Sequence, residues 1–418
     1  MTLKSRSSFH TWLVLAAAFA ATSLVLLTPS VQAQQRLLTR HVREAVVNGQ
    51  APLVGVLPPT QQLKLALMVP LRNQAELDEL LQKLYDPKSP SYHQWLSVQE
   101  FTDRFGPTQA DYDAVIHFAE ANGMTVTRAT PNRVVIDVAA SVADINKAFH
   151  VTMGIYRHPT EDRMFYAPDR EPSVDLSVQL WHITGLDDFS PPRPLLRFAP
   201  KGDLHTDQTG SGPGGQFLGS DMRAAYYGGT ALTGAGQSIG LFGLNFNISD
   251  VEAYFSSIGQ PFNPGTVITV SINGYDTSCP NPCGDGEPIA DIVQSLSMAP
   301  GVDAVIEYEA SNDVDTFSQM ATDNIAKQLS ASIGWLPPDA NIDEPIFMEF
   351  AAQGQNLFVA SGDSGAFTLP NCSGNNCNPA WYPSDDPYIT AVGGTHITTD
   401  GAGGPWKSEI AWGGPIPS

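Results

Sequence analysis

The chain has 418 residues, in which 43 Asp and Glu outnumber 22 Lys and Arg, so the formal net charge is −21. This balance disfavours nucleic acids and anionic membrane surfaces as partners, because both are bound through basic patches. The length predicts two domains once a short N-terminal segment is set aside.

Residues 1–33 are predicted to be a secretory signal peptide. Lys4 and Arg6 precede an apolar run over residues 12–27, and the small-residue pattern Val31-Gln-Ala33 predicts cleavage after Ala33. An uncleaved anchor is the alternative, but the uninterrupted apolar run is shorter than the roughly 20 residues of a membrane span. We therefore expect a secreted, extracellular protein that has no membrane attachment after cleavage.

Residues 34–189 are predicted to form an α+β domain. In chain order the patterns predict a strand over 63–69, a helix opened by a capping box at Asn73–Glu76, a helix over 108–121, strands over 125–128 and 134–138, a short helix from Ser141, and strands over 151–156 and 164–166. Two helices on one face of an antiparallel, ferredoxin-like sheet are the expected assembly. His93, His117 and His150 are scattered and are expected to be ordinary structural or surface residues.

Residues 190–216 are rich in Pro and Gly and have little apolar periodicity. They are predicted to form an exposed linker that is open to proteolytic processing.

Residues 217–418 change to alternating strands and helices. The predicted elements are strands over 238–244, 304–308, 329–333 and 357–360, and helices over 249–258, 316–327 and 344–353, with one more helix that carries Glu287. Continuous apolar strands separated by helices favour a parallel sheet covered by helices on both faces. Asp363 then follows the carboxyl end of a strand, where such sheets place their functional sites.

Glu287 and Asp291 are candidates for an acid/base pair. Carboxylates four apart on a helix share one face, and their repulsion suits a shared proton better than it suits stability. After His205 the chain has one histidine, His396. A carboxylate base is therefore the more economical reading, and it would still be partly ionised at about pH 4, where imidazole is protonated. The alternative for the pair is a solvated helix face.

Four cysteines fall in the second half of the chain, Cys279, Cys283, Cys372 and Cys377. In an exported chain they indicate two disulfides, and local pairing and cross-pairing both stay open. A four-thiolate zinc site is the alternative, but its usual Cys-x-x-Cys pattern is missing. No other metal site is expected in this chain.

Several motifs resemble the sedolisin, or serine-carboxyl peptidase, family in order and spacing. They are the Glu287–Gly301 segment, the Ser-Ile-Gly-Trp335 segment, the Ser361-Gly-Asp-Ser-Gly365 segment with its preceding apolar run, and the Gly393-Gly-Thr395 segment. The segment from Asp86 to Trp95, which leads to Phe105-Gly-Pro107, is similar to the activation propeptide of that family. The resemblance covers about residues 50–418.

The resemblance implies a subtilisin-like peptidase region with a Ser/Glu/Asp triad, behind a propeptide that acts as intramolecular inhibitor and folding aid. Glu287 would be the general base, Asp291 the carboxylate that supports it, and Asp363 a protonated donor in the oxyanion hole. Trp335 would contact the substrate. The resemblance also implies protein or peptide substrates, a monomer, and Ca²⁺ bound by a C-terminal loop that this chain does not contain.

One family motif is missing, the Gly-Thr-Ser-Ala segment that carries the nucleophilic serine, since Gly394-Thr395 is followed by His396. Truncation before that serine is the expected reason, and the chain as written is expected to be inactive. Ser364 in Gly-Asp-Ser-Gly is an alternative nucleophile of trypsin-like type, although that fold needs an all-β pattern and an upstream histidine. For Asp363 the alternative is a turn carboxylate that caps a helix.

Two functional classes therefore stay open. The first is a secreted endopeptidase proenzyme that acts in acid. The second is a secreted, non-catalytic binding protein that keeps the peptidase fold.

Overall fold

The computed structural model describes residues 35–194, 210–228, 230–279, 286–335, 341–362 and 381–411. The strands are β1 (Gln35–Arg36), β2 (Leu53–Val56), β3 (Gln62–Met68), β4 (Thr125–Ala129), β5 (Val135–Ser141), β6 (Met153–Arg157), β7 (Met164–Pro168), β8 (Ser173–Val174), β9 (His182–Thr184), β10 (Arg193–Pro194), β11 (Ser238–Phe242), β12 (Val267–Ser271), β13 (Ala304–Glu309), β14 (Gln328–Ala331), β15 (Ile333–Gly334), β16 (Asn356–Ala360), β17 (Thr390–Val392), β18 (Thr395–Thr399) and β19 (Trp406–Ala411). The α-helices are α1 (Glu44–Val47), α2 (Gln74–Tyr85), α3 (Val98–Arg104), α4 (Gln109–Ala121), α5 (Val142–Phe149), α6 (Gly219–Tyr226), α7 (Ile248–Ser257), α8 (Glu287–Met298), α9 (Asp313–Asp323) and α10 (Glu344–Gln353). Two short 3₁₀ helices cover Pro213–Gly215 and Pro264–Thr266.

The N-terminal region is built on a four-stranded antiparallel sheet in the order β4-β5-β3-β9. This is the strand order of a ferredoxin-like fold, in which the first strand lies between the third and the fourth. Leu65 and Leu67 of β3 face helices α4 and α5 and share a buried core with them. The predicted α+β, ferredoxin-like domain with two helices on one face is confirmed. A second sheet, β2-β6-β7, extends this region.

The C-terminal region is built on a six-stranded parallel sheet in the order β12-β13-β11-β14-β16-β17. Helices α7 and α8 pack on one face around Val251 and Ile292. Helices α9 and α10 pack on the other face around Phe317 and Phe347. The predicted parallel sheet with helices on both faces is therefore confirmed. The central strand β11 presents Leu241 to one layer and Phe242 to the other.

The two regions share buried surfaces. Ala66 and Met68 of β3 point away from α4 and α5, and they lie in one core with α9 and α10. The apolar face of α2, which carries Leu77 and Leu81, packs with α3 against α10. The second face of the N-terminal sheet is thus a docking face for the C-terminal region, as alternation of side chains along β3 allows.

Some predicted boundaries are wrong for local reasons. Asn73 precedes α2 but adopts a left-handed backbone and makes no capping bond; its amide donates instead to the carbonyl of Arg104 at 2.8 Å. The helix predicted over 316–327 is α9, which starts earlier because the side chain of Asn312 caps Asp315 N and which ends at Asn324 in a left-handed turn.

The structure describes the two ends of the segment predicted as a linker, residues 190–194 and 210–216. Residues 193–194 form β10, which pairs with β15 of the C-terminal region, so this part is held by backbone bonds rather than left open. Residues 195–209 lie outside the described part of the chain. Within the described ranges, no helix is both long and apolar enough to cross a membrane.

Candidate active site

Helix α8 places Glu287 and Asp291 one turn apart. Gly286 occupies the N-cap position, Glu287 is the first helical residue, and Pro288 fixes the first turn because its ring pre-sets a helical φ. The face that carries Ile292 and Leu296 packs on the sheet, and Glu287 is only 8% exposed. A solvated helix face therefore does not describe this pair.

Asp291 is held from the sheet side. The hydroxyl of Ser332 donates to its Oδ1 at 2.8 Å. Burial raises the pKa of Asp291 to about 6, and the hydrogen bond from Ser332 opposes this rise. Below about pH 6 Asp291 is therefore neutral and can hold a proton next to Glu287.

Two further carboxyl groups lie under α8, on strand β13. Glu307 and Glu309 point to the same face of the sheet, and each is 1% exposed. Burial, and then the charges of Asp291 and Glu309, raise the pKa of Glu307 well above its usual value. Burial alone raises the pKa of Glu309 to about 7. Asp291 thus belongs to a group of three carboxyl groups with Glu307 and Glu309, and Glu287 lies one helical turn before it.

A glycine makes room for the two strand carboxyl groups. A Cβ on Gly243, which follows β11, would lie 2.8 Å from Glu307 Oε2 and 2.9 Å from Glu309 Cγ. Sequence reasoning missed Glu307 and Glu309, although a signal was present. Acidic residues at alternate positions of an otherwise apolar, fully buried strand have to be either paired or functional.

Asp363 and Ser364 lie outside the described residues, and so does the Ser361–Gly365 motif from residue 363 onward. Strand β16 ends at Ala360, and Gly362 then turns the chain with φ +97°. A Cβ at this glycine would meet the Trp381 ring at 2.6 Å, so only glycine fits the turn. The position after a strand's carboxyl end agrees with the sequence interpretation; the role of Asp363 stays a prediction.

Trp335 is 4% exposed. Its ring packs edge-on against Tyr382 with centroids 5.2 Å apart, and the two residues exchange both backbone hydrogen bonds at 3.0 Å. The Trp335 side chain is therefore a packing residue here, and its predicted contact with a substrate stays a prediction.

The backbone beside Trp335 is occupied by the start of the segment predicted as a linker. Strand β10 runs antiparallel to β15, with Arg193 opposite Gly334 and Pro194 opposite Ile333. Arg193 is also held by Glu161 at 2.8 Å. Because Ser332 immediately precedes β15, an extended segment of this chain lies beside the residue that supports Asp291. A peptide strand added at this edge would need the same backbone bonds.

The other predicted site residues lie apart from this group. His396 is an exposed residue of the β18–β19 hairpin, opposite Ile410. Cys279 is disulfide-bonded; Cys283, Cys372 and Cys377 lie outside the described residues, so the pairing stays open. Within the described ranges, no group of three or more His, Cys, Asp or Glu side chains could hold a metal ion.

Comparisons with known proteins agree with this architecture. Residues 50–189 match the family described as the pro-kumamolisin activation domain. The chain is 28% identical to sedolisin of Pseudomonas sp. (strain 101) over 385 residues, which covers 87% of this chain and 64% of that protein. It is 27% identical to xanthomonalisin of Xanthomonas sp. (strain T-22) over 416 residues, which covers 88% of this chain and 49% of that protein.

A solved structure of Pseudomonas sedolisin, a serine-carboxyl proteinase complexed with two molecules of pseudo-iodotyrostatin, is also similar. The sequence identity is 26%, the TM-score is 0.38, and the alignment covers 47% of this chain and 58% of that one. The chain spans less than two thirds of the length of the first two relatives. Residues 50–189 thus match a pro-kumamolisin activation domain, and the similarity of the chain to sedolisin and xanthomonalisin extends to both sides of the segment 190–216.

Proposed function

We propose that this chain is part of a secreted serine-carboxyl endopeptidase proenzyme that hydrolyses peptide bonds in acid. The observation that carries this proposal is the buried pair of Glu287 and Asp291, braced by Ser332, next to a strand edge that already holds an extended segment. This arrangement combines a proton acceptor with a place for a peptide backbone.

Glu287 is the general base in this proposal and takes the proton of a nucleophilic serine. Asp291 keeps one proton in the pair, since burial brings its pKa to about 6. Below that pH the pair carries at most one negative charge, so Glu287 can ionise without facing a second carboxylate. Above it, both groups would ionise and repel each other, which favours activity on the acid side.

Asp363 supplies a hydrogen bond to the developing oxyanion in its protonated form, as the family resemblance implies. The nucleophilic serine is not among the 418 residues of this sequence, in which no Gly-Thr-Ser-Ala segment occurs. The N-terminal region blocks the site until it is released, with β10 lying on β15. The proposal also includes a disulfide through Cys279, a monomeric state, and Ca²⁺ bound by a C-terminal loop that is not part of this sequence.

The test is to express a version extended through the following coding sequence, acidify it, and measure hydrolysis of a protein substrate together with the mature N-terminus. We expect acid-dependent hydrolysis and a new terminus within residues 190–216. A stop codon directly after Ser418 with no in-frame Gly-Thr-Ser-Ala would favour the alternative, a secreted binding protein that keeps the fold. A new terminus within residues 63–166 would contradict the division into an activation domain and a peptidase region.

A further inference from the structure

Two buried imidazoles stack on each other in the N-terminal region, away from the active site. His41 and His182 are 2% and 7% exposed, and their rings are 4.2 Å apart at an interplanar angle of 13°. His182 is the first residue of β9. His41 belongs to a segment, residues 37–43, that lies along this strand, where Leu38 N and Thr39 N donate to Leu180 O and Trp181 O at 3.1 Å.

The hydrogen bonds of His41 require it to be neutral. The backbone N–H of Ile183 donates to His41 Nε2 at 3.0 Å, so this nitrogen presents a lone pair. The ring proton is then on Nδ1, 3.8 Å from Glu171 Oε2. A second proton would have to bind Nε2, the atom that accepts from β9. Charging His41 therefore replaces this acceptor with a donor and breaks its bond to the strand.

The surroundings of His182 also disfavour charge. Its Nδ1 lies 2.7 Å from the hydroxyl of Thr39, and that hydroxyl donates to Trp181 O at 2.6 Å. Burial, and then the nearby His41 and Arg43, lower the pKa of His182 well below its usual value. Two imidazolium ions stacked in a buried site would repel each other strongly.

The charged groups around the two rings act in both directions. Glu171 accepts from the backbone N–H groups of His41 and Val42 at 2.9 and 3.2 Å, and its charge would offset part of the cost of protonating His41. Arg43 opposes protonation, although its ion pair with Asp187 at 2.7 Å reduces its effect. From β3 the residue opposite His182 is Met68, which is apolar.

Strand β9 joins this histidine pair to the C-terminal region. Trp181, which directly precedes β9, donates from Nε1 to Ile342 O at 2.9 Å and packs against the core that contains α9 and α10. Its carbonyl accepts both bonds from Thr39. Loosening the segment of residues 37–43 therefore frees the backbone that positions an anchor between the two regions.

Buried acids at the same interface do not respond to acid in this way. Burial raises the pKa values of Asp137 and Glu349 to about 8. A carboxyl group with a raised pKa already holds its proton at pH 7, so acidification to pH 5 leaves its charge unchanged. His182, whose pKa is lowered by burial, behaves in the opposite sense, because its contribution to stability is present above about pH 6.5 and is lost as the pH falls.

We propose that His41 and His182 form a proton-operated latch of the activation domain. At neutral pH the latch holds residues 37–43 on β9. In acid it releases them, and this weakens the packing and the hydrogen bond of Trp181 against the C-terminal region. This regulation rests on the proposed proenzyme function, since it is a proenzyme whose activation domain has to be released. The latch itself is measurable without any peptidase activity.

The test is hydrogen exchange, followed by mass spectrometry, of the whole 418-residue chain between pH 7.5 and 5.0, with rates corrected for intrinsic exchange. Below about pH 6.5 the opening constant of the peptides over residues 37–43 and 177–190 should rise by up to about tenfold per pH unit for each proton taken up. Strand β5 serves as the internal reference and should stay protected.

His41→Gln separates the latch from ordinary packing. Glutamine keeps a side-chain acceptor for Ile183 N–H but cannot take up a proton, so the pH dependence of opening at β9 should be reduced to about half of the wild-type slope, since only His182 still takes up a proton. The matched control is His117→Gln on α4, where the side chain is exposed, and it should keep the wild-type slope.

His182→Asn is the second variant, used if β5 shows that His41→Gln does not fold at pH 7.5. Its amide can still donate to Thr39 and it cannot titrate, so it should flatten the slope as well. The same pH dependence in these variants and in the wild type, or no pH dependence in the wild type, would overturn the latch. An inactive extended protein whose β9 still opens in acid would refute the proposed function and leave the latch standing.

Discussion

Two groups of buried carboxyl groups differ in whether a cation accompanies them. At the interface between the two regions, Arg128 bonds Asp137 of its own region and Asp315 of α9, and also reaches Gln319. Under α8, the pKa of Glu307 is raised by burial and by the charges of Asp291 and Glu309. In the first group one guanidinium faces two carboxyl groups, and burial and the charge of Asp315 still raise the pKa of Asp137 to about 8. In the second group the carboxyl groups avoid charge only by keeping protons.

The difference indicates what each group does. A buried carboxylate bonded to Arg is a structural device, because removing either partner leaves an uncompensated charge. Buried carboxyl groups that raise one another's pKa and have no cation bonded to them cost stability and change charge with pH, which is typical of functional sites. Asn132, which donates to Glu349 at 2.7 Å, belongs to the structural kind because it satisfies a buried carboxyl group across the interface.

The largest expected effect concerns Glu287, the proposed general base on α8. In a version extended to include the nucleophile, Glu287→Gln keeps the shape of the side chain but removes the proton acceptor. The rate of peptide hydrolysis should fall by about 10² to 10⁴ or more. Glu252→Gln on the exposed side of α7 is the control and should leave the rate unchanged. Near-normal turnover of Glu287→Gln at its pH optimum would exclude Glu287 as the base.

On the structural side, Arg128→Ala leaves two buried carboxyl groups without their cation. The free energy of unfolding should fall by about 3–5 kcal/mol at pH 7.5. The control is Arg104→Ala, whose exposed ion pair with Glu76 should contribute less than about 1 kcal/mol. Urea unfolding of the chain measures both. Equal losses in the two variants would mean that the interface pair behaves as a surface pair.

Variants of Asp363 test its predicted role as a protonated hydrogen-bond donor in the oxyanion hole. Asp363→Ala in the extended version should lower the rate by about 10² to 10³, because one hydrogen bond to the transition state is lost. Ser364→Ala should retain most activity. Asp363→Asn can still donate a hydrogen bond, and partial activity that extends to higher pH would support a protonated Asp363. If Ser364→Ala instead abolished labelling by a serine-reactive probe, Ser364 would be the nucleophile.

The smallest expected effect concerns Glu307. Because the pKa of Glu307 is raised in the folded chain, the folded state keeps this proton to a higher pH than the unfolded chain does. The free energy of unfolding therefore falls as the pH rises above about 4.5. Glu307→Gln removes this titration, so the variant should gain up to about 1.4 kcal/mol per pH unit relative to wild type between pH 5 and 7. Glu120→Gln, whose side chain is exposed on α4, is the control. A difference in the free energy of unfolding between Glu307→Gln and wild type that stays constant across this range would show that the pKa of Glu307 is not raised by folding.

Local patterns predicted much of the fold and part of the site. Helix α10 begins and ends at the residues that its periodicity predicted, and Ser141 caps α5 as its side chain suggested. Helix α3 was missed although Ser97 and Glu100 form a capping box that is readable in the sequence. Strands β9, β10 and β15 were missed as separate elements because each has two or three residues, too few to show alternation.

The sequence alone determined that Glu287 and Asp291 share one helix face, because helical spacing is a local property. It also determined the parallel character of the second sheet, since buried strands between helices have to be apolar on both faces. Only the tertiary structure placed Ser332 against Asp291, Glu307 near Asp291, β10 on β15, and His41 on His182. Each of these contacts joins residues that are distant in the chain, and such partners are selected by packing of whole elements, which no local pattern records.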